Sequence, residues 1–169
     1  MIPLPQFWKH HFLRVEWLIA LLLTAGFSVW FQRYGGAASV ETVLEGNRAT
    51  LYGTAASIFG SLLGFVITAT SIVLGFSSFD RLAVVRGSEH YPTLWKTFSA
   101  TTRALALATA IALVCLIWDR DSKPVSWLTV LLIFTVLLAL FRIGRTIWVL
   151  EQIIALVTAP SPKDKRDGK

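Results

Sequence analysis

With 169 residues, 54% of them hydrophobic and 15% charged, the chain has one domain's length and far fewer charges than the roughly 25% of a soluble domain. That balance marks an all-α membrane protein. The net charge of +6 does not imply a nucleic-acid partner, because the basic residues gather at the ends of apolar runs and not on one polar surface.

The opening MIPLPQFWKHHFLR sets Phe7, Trp8, His11, Phe12 and Val15 near helical spacing with Lys9, His10 and Arg14 between them, the pattern of an interfacial helix. His10 and His11 point about 100° apart on a helix and make no chelating pair, so no metal is assigned. The first span is predicted over Val15–Tyr34. A basic start, an apolar run and GGAAS also fit a removable leader, but the run is longer than such leaders use. Gly35 and Gly36 break the helix, Glu41 and Glu45 share a face if the outer connection is helical, and EGN forms a turn before the second span, Thr50–Ser78.

The following connection has Gly87 and Pro92 as punctuation and Val84, Val85, Leu94, Trp95 and Phe98 as apolar anchors, and is read as one or two further interfacial helices. The third span is predicted over Thr101–Trp118, with the lone Cys115 as a small packing residue that can form no intrachain disulfide. The fourth covers Trp127–Phe141 and continues past Arg142. Residues 1–158 are read as a single four-span transmembrane domain, and residues 159–169, APSPKDKRDGK, with proline, charge and no apolar residue after Ala159, as a disordered basic cytoplasmic tail.

Topology follows from charge. With the amino terminus in the cytoplasm, Lys9, Arg14, Arg81, Arg86, Lys96, Arg103, Arg142, Arg145 and the basic tail fall inside, against Arg33, Arg48, Arg120 and Lys123 outside. This positive-inside bias predicts a multi-pass protein with both termini cytoplasmic. Trp17 and Trp148 at the inner edge, and Trp30, Trp118 and Trp127 at the outer, agree with interfacial belts.

The second span carries the candidate site. Steps of four and three pick out Thr50, Thr54, Ser57, Ser61, Gly64, Thr68, Ser71, Gly75 and Ser78, all small or hydroxylic, with bulk such as Leu51, Ile58, Leu62, Phe65, Ile72 and Phe76 elsewhere on the helix. Two accounts stay open. A packing seam needs small residues, offers Gly60-x-x-x-Gly64, and has a partner in Ala104, Ala108, Ala112 and Cys115 of the third span. A pore lined by hydroxyls from several copies gives an ion a wet path without a fixed charge. One lining helix per chain makes that reading a homo-oligomer, expected as a symmetric ring.

Other charges take supporting roles. Glu41 and Glu45 at the outer approach, with Asp80 and Arg81 at the inner end, form the pore mouths, and the outer acids tilt selectivity slightly toward cations. Arg142, Arg145 and Trp148 are read as lipid anchors, with anionic lipid at the inner leaflet as partner. Glu16 is read as a solvated or snorkelling carboxylate at the inner edge, its rival role being the coupling acid of a small proton-coupled exporter. No P-loop, nucleophile elbow, acid pair or metal set is present, so no catalytic residue, cofactor or enzyme activity is expected.

The run RATLYGTAASIFGSLLGFVITATSIVLGFSSFDRL resembles the second transmembrane helix of a group of uncharacterised bacterial multi-span membrane proteins, which start with RA and end in a polar SSF turn. The resemblance covers about a fifth of the chain and implies a bacterial inner-membrane location but no activity. The expected function is a homo-oligomeric channel for small ions with the second helix lining the pore. The alternatives are a structural or accessory membrane subunit and, third, the exporter.

Overall fold

The structure, a computed structural model, describes the backbone of residues 6–76, 91–120 and 125–158, and the side chains of residues 14–72, 95–120 and 125–151. The tail 159–169, Ser78, Asp80 and Arg81 lie outside these residues. The described chain is all-helical: α1 Gln6–Arg33, α2 Gly36–Leu44, α3 Arg48–Phe76, α4 Tyr91–Trp118 and α5 Ser126–Thr158. All but α2 are long and apolar enough to cross a membrane, the qualifying stretches being Arg14–Arg33, Arg48–Ile72, Trp95–Trp118 and Ser126–Glu151. At 1.5 Å per residue such stretches reach about 30–39 Å, enough for a hydrocarbon layer of about 30 Å.

Turn chemistry sets the ends. Gly35 (φ 71°) and Gly46 (φ 73°) adopt the left-handed backbone on either side of α2, where a Cβ would be strained. Gly36 is small for a different reason: a Cβ there would meet the Trp30 ring at 2.6 Å, so the indole lies over the start of α2. Glu45 closes the last turn of α2, its N–H donating to the Glu41 carbonyl, so the two acids stand one turn apart on one face before the extended ψ of 124° turns the chain away. Leu51 N–H donates to Asn47 O at 2.9 Å, the first closed turn of α3.

Two boundaries differ from those read in sequence. Residues 91–100 belong to α4, so Trp95 and Phe98 are part of a span and not anchors of a surface helix; Phe98 is buried. Polar KTFSATTR hid this continuity, whereas Pro92 fits because first-turn N–H groups have no intrahelical partner. Likewise α1 runs unbroken from Gln6 into the first span.

The helices α4 and α5 form the centre, with α3 packed on α4 and α1 on α5. Small residues allow this. Ala104, Ala108, Ala112 and Cys115 make one face of α4, and bulk from both neighbours fills against it: Tyr52, Ala56 and Phe59 from α3, Leu128, Leu132 and Ala139 from α5. Trp17 and Phe134 meet edge-on between α1 and α5, centroids 6.3 Å apart. Lipid tails are as apolar as these side chains, so close packing and polar contacts hold the helices together.

That seam has no spare volume at Ala108, which is fully buried. Ala108→Leu is expected to cost about 1–3 kcal/mol through overpacking, read as a lower unfolding midpoint in detergent, while the exposed Leu107→Ala leaves the midpoint nearly unchanged.

Candidate functional site

What α3 presents to its surroundings depends on how it is rotated, and a polar clamp fixes that rotation. Arg48 and Tyr52, one turn apart, both reach Asp119 at the end of α4: the guanidinium donates to Oδ2 at 2.7 Å and the phenol O–H donates to the same oxygen. Oδ1 accepts the Val125 N–H at 2.7 Å, and the Tyr52 oxygen lies 3.5 Å from Thr129 Oγ1. Asp119 thereby ties the start of α3, the end of α4 and the start of α5, and its side chain is fully buried.

Below the clamp, Ala56 and Phe59 continue the inward face of α3, with Leu63 and Val66 packed beside them. At 100° per residue these positions lie about 180° from the line through Thr50, Thr54, Ser57, Ser61, Gly64 and Thr68. All of those, and Ser71, are exposed. Gly75 lies on the last turn of α3. The stripe therefore faces away from the rest of the protomer, and the seam expected with Ala104, Ala108, Ala112 and Cys115 does not form: Ala108, Ala112 and Cys115 meet the opposite side of α3, and Ala104 packs with Ala20 of α1 and Leu138 of α5. Sequence periodicity found the stripe but could not say which side Tyr52 and Phe59 would bury. Nor do the glycines form a close helix contact within the chain, since a Cβ on Gly64 would meet nothing within 4 Å and one on Gly60 only the Thr109 methyl at 3.8 Å.

The stripe hydroxyls are partly self-satisfied. Thr68 donates to Gly64 O at 2.9 Å and Ser71 to Ile67 O at 2.9 Å. Such back-bonding lets a hydroxyl sit in an apolar medium without an unmet donor.

The other end of the molecule holds a second ion cluster, between α1 and α5. Glu16 accepts a hydrogen bond from Arg145 Nε, and its other oxygen lies 3.3 Å from Arg142 Nε. Glu16 is only 7% exposed and Arg142 8%. The solvated carboxylate read from sequence is thus corrected: Glu16 is an interhelical counter-ion. Arg142 turns inward, Arg145 is partly buried, and Trp148 is exposed. The signal was available, since Arg142 interrupts an apolar run and an arginine within a span needs a partner; its acid lay 126 residues away. Close by, Thr101 of α4 meets Thr146 of α5 at 2.7 Å between hydroxyls and donates to Arg142 O at 3.2 Å.

Of the mouth residues, Glu41 and Glu45 are exposed. Among the described residues, no group of three or more His, Cys, Asp or Glu could hold a metal ion. Set beside protein families, curated proteins and solved structures, the chain matches none of them.

Removing one member of a buried pair strands the other, at a cost of about 3–5 kcal/mol. Asp119→Asn and Glu16→Gln are each expected to lower stability toward that range, measured by denaturant titration in detergent. Replacing the exposed Glu41 by Gln should change it by less than about 0.5 kcal/mol.

Proposed function

We propose that the chain is the protomer of a homo-oligomeric channel for small ions, with α3 nearest the shared axis. The observation that carries this reading is the direction of the stripe: its hydroxyls and glycines point away from the protomer, where other copies can complete a ring around them. The flanks of the same face support it. Leu51, Ile58, Phe65 and Ile72, spaced seven apart, project on one side, each about half or more exposed. Gly53 and Gly60 leave room on the other. A bulky column meeting a small-residue column is a head-to-tail contact, the kind that closes into rings.

A slight preference for cations is supported by the exposed Glu41 and Glu45 at the outer approach. Placement in a bacterial inner membrane, with both termini cytoplasmic, is supported by the resemblance of the α3 region and by charge. At the end where α3 finishes stand Arg14, Lys96, Arg103, Arg142 and Arg145, against Glu16 and Glu151 among the described residues. The opposite end balances Arg33, Arg48 and Arg120 with Glu41, Glu45 and Asp119.

A second reading, a structural or accessory subunit whose stripe packs on other helices, is favoured by the back-bonded Thr68 and Ser71, which need no water. The exporter reading has least support, because Glu16 already serves as counter-ion to Arg142 and Arg145.

Cysteine substitution separates the first two. Cys115 is fully buried, so the natural chain gives a silent background for thiol reagents. In a wet pore, Ser61→Cys and Thr68→Cys assemble normally and a charged thiol reagent blocks ion flux in liposomes. In a dry seam neither reacts and purified protein passes no current. Gly53→Leu and Phe65→Ala should each shift the assembly toward protomers on light scattering while helix content is retained; an unchanged assembly mass would remove the ring contact described above.

A further inference from the structure

The end of α3 and the start of α4 flank an open recess of about 300 Å³ that shares only Ser71 with the stripe. It is lined by Ile67, Thr70 and Ser71 of α3 and by Trp95, Ser99, Thr102 and Arg103 of α4. Its depth is set by helix geometry. Ser71 lies about 34 Å along α3 from Arg48, and Arg103 about 22 Å along α4 from Trp118, so the recess straddles the boundary of a hydrocarbon layer about 30 Å thick. That is the level at which phospholipid headgroups lie, whichever side of the membrane this end faces.

The lining has a particular chemistry. Arg103 is exposed and brings a guanidinium, whose planar fork suits phosphate oxygens. Three of the hydroxyls have already committed their protons to their own helices: Thr70 to Val66 O at 2.7 Å, Ser71 to Ile67 O at 2.9 Å and Thr102 to Phe98 O at 3.0 Å. Their oxygens are left with lone pairs and act as acceptors. One cation beside several acceptors complements a group that joins an anion to hydrogen-bond donors. Trp95, nearly half exposed, supplies an amphipathic ring of the kind enriched at this depth.

We propose that this recess binds the headgroup of a phospholipid whose phosphodiester carries a donor-bearing head, as ethanolamine and glycerol heads do and choline does not. The phosphate sits on Arg103 and the head's N–H or O–H groups turn toward Thr70, Ser71 and Thr102. The site shares Ser71 with the stripe, but it asks nothing of ion flux or oligomer state, so its test is separate from that of the channel reading.

Native mass spectrometry of the full chain in detergent, titrated with matched phosphatidylethanolamine, phosphatidylglycerol and phosphatidylcholine, tests it. The natural chain should retain the first two several-fold better than the third. Arg103→Gln should reduce their retention several-fold, whereas Lys96→Gln, an exposed cation at the same end but off the recess, should not. Thr70→Val keeps the shape, removes an acceptor and should narrow the preference over choline. Equal retention of all three lipids, equal loss in Lys96→Gln and Arg103→Gln, or displacement of the lipid by excess inorganic phosphate would overturn the proposal.

Discussion

Charge taken out of water needs a partner of opposite sign close by, and for Asp119 that partner is Arg48 at 2.7 Å. Because Tyr52 shares the same carboxylate oxygen one helical turn later, α3 is held at two points on one face and cannot rotate without breaking both. Everything the helix shows to its surroundings follows: the aromatic and alanine face goes inward, and the hydroxyl stripe goes outward. A hydrophobic contact could not fix this as firmly, since in lipid a rotated helix exchanges one apolar contact for another at little cost.

The two ion clusters stand at opposite ends and act on different helices. The Asp119 group gathers α3, α4 and α5 near Arg48, whereas Glu16 joins α1 to α5 close to the far boundary. Arg142 lies about 24 Å along α5 from Ser126, which puts it near the edge of the apolar layer, where a charged side chain costs less than at the centre. Between the clusters the contacts are alanine seams, and the Thr101–Thr146 hydroxyl pair lies at the Glu16 end. Polar ties at the two boundaries therefore set depth and rotation, and small side chains between them set how near the helices come.

Much of this was legible in the residues. Hydropathy gave four spans, the Gly35–Gly36 break and the EGN turn appear where glycine chemistry demands them, and the small face of α4 is a close-packed one, though against the Tyr52–Phe59 side of α3 and not the stripe. The ion pairs were not legible as pairs. Arg48 and Asp119 are 71 positions apart and Arg145 and Glu16 129, and hydropathy carries no information on which helix ends become neighbours. The same gap hid the inward face of α3: periodicity marks a face as distinct without naming what lies against it. The early start of α4 was concealed because a polar helical turn and a polar loop have the same composition.

The sequence distance between charge partners also sets an order of assembly. A ribosome delivers the chain from its amino terminus, so Glu16 enters the membrane with α1 long before α5 exists, and both arginines that neutralise it arrive with the last span. Arg48 waits in the same way for Asp119. Until then each unpaired charge is best placed at the water boundary, which keeps the early helices shallow and loosely associated. The fold closes only when α5 inserts. A chain released before that point would carry Glu16 without either counter-ion.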